Sequence, residues 1–202
     1  SGRKLKTVVI AFLDLLAGEL LCTECRADEL VDELRRMNTR EILTDEKWKA
    51  VILEGWLGDK PPIRNVGAEQ LSDADSISLL EQRFGSTAIR GLNEKEDAAY
   101  RQALGTLIRF AEHTQRRSLQ HLMAPRAYQI RDYLVLDEAT RRNLELCTTQ
   151  VEGKRRGSLL WHLDRCVTSM GSRALRQWLL FPLRDQTRIN RRLDVITGLL
   201  EN

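Results

Sequence analysis

Three helix starts and one enforced stop lie between Leu134 and Leu183, and this punctuation constrains the fold more than any other feature of the chain. The apolar run Leu134-Val135-Leu136 ends at Asp137, whose carboxylate can accept from the unpaired amides of a helix beginning at Glu138. Ser158 ahead of Leu159 and Thr168 ahead of Ser169 offer the same chemistry. Pro182 closes the last segment, because its ring fixes φ and removes the amide a continuing helix would need. Short helices joined by tight, capped corners are expected here, with no side chains arranged as a reaction centre. Gly171, third in its helix, would let another backbone approach closely. Trp161 and Trp178 fall on apolar stripes that predict core positions.

The start of the chain has a different period. Residues 7–16 (TVVIAFLDLL) are a continuous apolar run, as in a strand buried on both faces. Ala17-Gly18 can turn it into a second strand over residues 19–23, making a hairpin. Residues 27–37 place Leu30, Val31, Leu34 and Met37 on one helical face. Residues 40–44 read as a third strand, and residues 63–66 as another. Between them Asp45 can cap a helix with Trp48, Val51, Ile52 and Trp56 on its buried stripe. Strands alternating with helices predict an α/β layer with a mixed sheet.

Helices follow over residues 75–84 and 96–115. The longer one buries Tyr100, Ala103, Leu104, Leu107 and Ala111 at helical spacing. Gly105 inside it costs up to about 1 kcal/mol relative to alanine, which points to close packing against a neighbour. Residues 116–125 hold the expected domain boundary, dividing the chain into 1–118 and 119–202. A short strand pair is expected over residues 128–136. A last helix starts near Asp185 and buries Ile189, Leu193, Ile196 and Leu200. The fold class is therefore α/β followed by mostly α.

At 202 residues the chain can hold one large domain or two small ones. A net charge of +3 gives no strong whole-chain attraction to nucleic acid. Basic residues concentrate in the last third, where solvated helix faces are favoured over a nucleic-acid patch. No stretch approaches the ~18 apolar residues of a membrane span, and no segment reads as a signal peptide, so none is expected. Four scattered cysteines fit a reduced, intracellular chain better than a disulfide scaffold. The chain starts almost directly on a strand and ends just after a helix, as expected of a piece of something longer.

Several motifs fall short of a site. Cys22-Thr23-Glu24-Cys25 is a CxxC, but a structural zinc needs four ligands, and Cys147, Cys166, His113, His121 and His162 lie at no matching spacing. Packed cysteines are the favoured reading; a thioredoxin-like pair would need a helix N-terminus and a lowered thiol pKa. Gly153-Lys154-Arg155-Arg156-Gly157-Ser158 lacks the lysine directly after the last glycine and the preceding strand of a phosphate loop. The surrounding residues 147–156 read as a mobile polar loop. Arg141, Arg142, Asn143, Arg173 and Arg176 could touch phosphates, yet Arg141 also stands one turn from Glu138 and Glu145, as in a helical ion pair. At 5% aromatic residues, the interleaved stacking of single-strand binders is absent.

Two long segments, LDEATRRNLEL and GSLLWHLDRCVTSMGSRALRQWLLFPLRD, closely resemble the start of the core (lever) domain of the bacterial MutS family of mismatch repair proteins. FLDLLAGELLC, DELVDELRRMNTREIL and ALGTLIRFAEHTQRRSLQHL resemble that family's connector domain; between about Lys47 and Glu94 only the element order agrees. The resemblance implies a ribonuclease H-like mixed-sheet connector over 1–118 and a partial helical lever over 119–202. It implies a non-catalytic piece of a DNA-dependent ATPase that couples ATP state to mismatched-DNA binding. It further implies DNA, MutL and a second MutS copy as partners of the whole protein, a cytoplasmic, nucleoid-associated location, and no membrane. ATP and Mg belong to the full-length family, and neither is expected in this piece.

The family positions that match are Asp137, Thr140, Arg141, Arg142, Asn143, Leu144 and Glu145 in the first lever segment. In the second they are Ser158, Leu163, Asp164, Thr168, Met170, Gly171, Arg173, Trp178 and Pro182. Their implied role is to hold the lever helices and the connector junction together. The family lever closes its bundle with a later return that is missing here, so apolar surface is expected to be exposed and the C-terminal half to self-associate or to be mobile.

Two rivals stand beside this. A ribonuclease H-like nuclease would use Asp14, with Glu19, Asp28 and Asp45 as possible partners, to hold metal ions for phosphodiester cleavage. The plain alternative is that Asp14 satisfies backbone groups at a strand end, and a fold-level analogy is not a site. The second rival is a stand-alone basic helical nucleic-acid binder.

Overall fold

The run after Thr7 becomes strand β1 (Thr7–Asp14), paired antiparallel with β2 (Glu19–Arg26) from Thr7 opposite Arg26 to Asp14 opposite Glu19. The structure, a computed structural model, describes residues 7–56, 58–87, 92, 98–115 and 119–201. Within it a two-residue strand β5 (Arg126–Ala127) lies parallel to β2 and gives a three-stranded sheet in the order β1-β2-β5. The hairpin turn needs Gly18: its φ is +68°, and a Cβ there would stand 2.4 Å from the His121 carbonyl oxygen.

The expected burial of the first strand is corrected. Only Ile10 of β1 is buried, whereas β2 buries Leu20, Cys22, Thr23 and Cys25. The reason is position in the sheet: β2 has a neighbour on each side, while β1 has one among the described residues. That sheet is mixed, as expected, but among the described residues it does not take in every strand. Strand β3 (Ile42–Thr44) pairs parallel with β4 (Ile63–Asn65) in a separate two-stranded sheet.

Helix α1 (Leu30–Arg36) precedes β3, and α2 (Glu46–Gly55) connects β3 to β4. Asp45 caps α2 as expected, accepting from the Trp48 amide at 2.9 Å, although of its predicted stripe only Ile52 and Trp56 are buried.

Helices α3 (Asp73–Phe84) and α4 (Ala98–Gln115) complete the first unit. The predicted start of α4 at Glu96 falls outside the described residues. Leu80, Leu104, Ile108 and Ala111 form the core with Leu20 and Cys22. Gly105 packs closely, as expected: a Cβ would meet Ser76 of α3 at 2.8 to 3.1 Å. Arg101 is buried in α4, where its guanidinium donates to Asp73 at 2.7 Å and to the Leu92 carbonyl at 2.6 Å. Leu119 and Leu122 join the same core, so this compact unit runs to Tyr128, past the boundary expected at 118/119.

The second unit, Gln129–Asn202, is helical: α5 (Glu138–Asn143), α6 (Leu159–Leu163), α7 (Ser169–Leu180) and α8 (Gln186–Leu200). The strand pair expected over residues 128–136 is instead a 3-10 turn, Ile130–Asp132, followed by a single bridge from Tyr133 to Leu183. Leu146, Leu160, Leu180 and Phe181 are its buried apolar residues. The predicted buried face of α8 is also corrected, since Ile189, Leu193, Ile196 and Leu200 are 38%, 54%, 37% and 82% exposed. Spacing puts these residues on one face, and among the described residues that face is only partly covered. Trp161 and Trp178 are likewise half-exposed rather than core, and Trp178 instead carries the Arg192 guanidinium 4.0 Å from its ring centroid.

Candidate functional site

Asp14 is spent on its own turn. Its Oδ1 accepts from the Leu16 and Ala17 amides, both at 2.9 Å. Its possible metal-binding partners are engaged elsewhere: Glu19 pairs with Arg126, Asp28 with Arg26, and Asp45 caps α2. Among the described residues no three acidic, histidine or cysteine side chains gather as a metal site. Cys22 and Cys25 lie within β2, both buried and neither in a disulfide. Burial, reinforced by the charge of Glu33, pushes the Cys25 thiol up to about 12. That is the opposite of the activation a redox pair requires.

The residues singled out in the second unit form a chain of caps. Asp137 Oδ1 accepts from the Thr140 amide at 2.7 Å. The Thr140 side chain and amide, with Arg141 close by, hold the Asp137 carboxyl below its usual range. Arg141 is buried in α5; its expected partner on Glu138 rests on a side chain outside those described. Glu145 adopts a left-handed conformation, φ 47°, just after α5, and its Oε1 accepts from the Gln150 amide at 2.6 Å. The carbonyls of Glu145 and Leu146 accept from the Leu159 and Leu160 amides at 3.0 and 2.9 Å. The end of α5 thus fastens the beginning of α6.

Ser158 is buried between them. Its hydroxyl donates to the Arg155 carbonyl at 2.7 Å and accepts from the Trp161 amide at 3.2 Å. Asp164 ties α6 to α7 by accepting from the Ser172 hydroxyl at 3.0 Å, the Cys166 amide at 3.1 Å and the Arg155 guanidinium. Ser172 above all keeps the Asp164 carboxyl below its usual range. Thr168 accepts from the Gly171 amide at 3.1 Å. Gly171 makes room for side chains rather than for backbone: a Cβ would meet Cys166 at 3.2 Å and the Thr168 hydroxyl at 3.3 Å. Pro182 accepts from the Leu134 amide at 2.8 Å.

The remaining singled-out residues, Arg142, Asn143, Leu144, Leu163, Met170, Arg173 and Trp178, lie at the surface. Arg176 turns inward beside Cys147, whose thiol is pushed up by burial against the opposing effect of that guanidinium. The loop over residues 147–156 closes on itself, with Thr149 and Gly153 donating to Lys154 and Thr149 carbonyls at 2.8 and 3.0 Å. A cavity of about 390 Å³ opens beside α6, lined by Arg155, Trp161, His162, Asp164 and Arg165. Its carboxylate already has three donors and is no free base.

Sequence reasoning missed a polar cluster in the first unit, the buried Glu33 and Arg36 with the half-buried Tyr128. The spacing of Glu33 and Arg36 is readable as a helical pair. Their burial is not, because it depends on a tyrosine far along the chain.

The family model for MutS domain II matches residues 2–123, and that for MutS domain III matches residues 139–202. The DNA mismatch repair protein MutS of Synechococcus sp. (strain RCC307) is 37% identical over 193 residues, spanning 95% of this chain and 21% of that protein. That of Trichormus variabilis is 36% identical over 207 residues, with 96% and 24% covered. That of Halothermothrix orenii is 33% identical over 199 residues, with 95% and 22% covered. The chain therefore spans between about a fifth and a quarter of the length of these relatives.

Proposed function

The chain belongs to the MutS family of DNA mismatch repair proteins, and on that footing we propose that it is a coupling segment rather than a reaction centre. In this reading it links the ATP state of the whole protein to its grip on mismatched DNA. Its first unit, read as a connector with a ribonuclease H-like sheet, offers MutL a surface. The whole protein works as a MutS homodimer in the cytoplasm, on the nucleoid. ATP and Mg are handled by other parts of the family's architecture, and this chain contributes no ligand to either.

The observation that carries this reading is how the polar side chains are used. Asp137, Ser158, Asp164 and Thr168 are each committed to caps and ties that fasten one short helix to the next. Such a frame transmits force between helices whose ends are pinned, and each of these four side chains already has a partner. The nuclease alternative is not favoured, because Asp14 and its candidate partners are already engaged.

The test is binding of duplex and mismatched DNA by this chain, with and without ATP, across a salt series. Weak, mismatch-blind binding without an ATP effect is the expected outcome. Its affinity should fall with salt at about −0.9 in log–log slope for each phosphate neutralised. Mismatch-selective binding, or any response to ATP, would overturn the coupling reading.

A further inference from the structure

Tyr128 is the last residue of the first unit, and three contacts gather at that exit. Its amide donates to the Cys22 carbonyl at 2.9 Å, extending the pairing of β5 with β2 by one step. Two residues earlier, Arg126 pairs with Glu19 at the surface. Most telling is the Tyr128 hydroxyl, which donates to Glu33 Oε1 at 2.5 Å. The same oxygen receives the Arg36 guanidinium at 2.6 Å. Glu33 and Arg36 are 4% and 2% exposed, so this carboxylate meets its donors away from water. Burial, and then the charge of Glu33, push the phenol far above its ordinary value, so it stays protonated and remains a donor.

Without the tyrosine, the ion pair would be internal to α1. That helix is one of seven residues whose N-cap, Glu29, makes no side-chain cap bond. A helix so short relies on tertiary contacts to hold its place. With the tyrosine, a single oxygen joins α1 to a point 95 residues further along the chain. A buried polar group that loses its donor costs far more than one that never had it, so the three groups are bound to move together.

We propose that Tyr128 is a latch: its hydroxyl, seated on the Glu33–Arg36 pair, fixes where the chain leaves the first unit and ties that exit to α1. Displacement of α1 by a partner then frees the exit, and pull on the exit disturbs α1. The latch rests on the coupling reading and names the element through which coupling passes out of the first unit.

Hydrogen exchange on the whole chain tests the latch directly. Tyr128→Phe keeps the ring and removes only the hydroxyl. The Tyr128 amide should then exchange faster by about tenfold or more, as expected for a lost bond to a charged acceptor. The Met37 amide at the end of α1 should follow, and the Ile108 amide in the α4 core should not. No change at Tyr128 would overturn the latch, and so would an equal rise at Ile108, which would make the hydroxyl a support of the whole unit. Failure of the coupling reading looks different. It would show as an ATP-independent mismatch affinity in an unsubstituted full-length relative, whatever the exchange of Tyr128.

Discussion

At Gly105 two opposing effects of one methyl group can be weighed. Alanine there would gain up to about 1 kcal/mol of helix propensity. It would also place a Cβ 2.8 Å from the Ser76 hydroxyl and 3.1 Å from the Ser76 Cα. A backbone atom cannot swing aside, and overpacking of this kind costs about 1–3 kcal/mol. The clash should win, so Gly105→Ala is expected to lower stability by about 1–2 kcal/mol in urea unfolding. A raised midpoint would mean that α3 yields freely. The need for a small residue here was legible from the sequence, since nothing else explains a glycine inside a long amphipathic helix. Its partner was not, because Ser76 reaches it only through the packing of two helices. Arg101 shows the same limit: nothing along α4 announces that this arginine is buried against Asp73 and the Leu92 carbonyl.

Helix ends were the most legible elements. Asp45, Asp137, Ser158 and Thr168 were each readable as caps, and each accepts from the amide three residues on. A cap is decided within one turn of chain, so tertiary structure has little chance to override it. Burial is decided at a distance, and there the reading failed: β1 is the more apolar strand, yet β2, with a strand on each side, buries more of its residues. The caps also carry a pH dependence. The carboxyls of Asp137 and Asp164 are lower in the folded chain than an aspartate's ordinary value of about 3.9. A group depressed on folding stabilises above its unfolded value and loses that contribution as pH falls through the folded value. The second unit should therefore weaken as pH drops below about 3.9. Its melting temperature in Asp137→Asn and Asp164→Asn should fall less steeply over that window. Equal pH slopes in the substituted and unsubstituted chains would show that these carboxylates do not report on folding.

Across the whole molecule, apolar surface is distributed unevenly. Many of the most exposed large apolar side chains lie in the second unit, including Val167 at 101%, Met170 at 75%, Leu199 at 74% and Leu200 at 82%. Along α8, Ile189, Leu193 and Ile196 recur at helical spacing, so the exposure is a face and not a scatter. Isolated exposed leucines are ordinary, but a continuous apolar face on a dissolved protein favours association. The charge does little to oppose it, since a net +3 gives weak repulsion between copies. The chain is therefore expected to self-associate with rising concentration, read as an increase in weight-average mass by sedimentation. Leu193→Glu with Leu199→Lys should reverse it, because both side chains are more than half exposed and their replacement leaves no buried charge. A species that stays monomeric up to high concentration and melts sharply would show that the α8 face is covered within the single chain, and this expectation would fall.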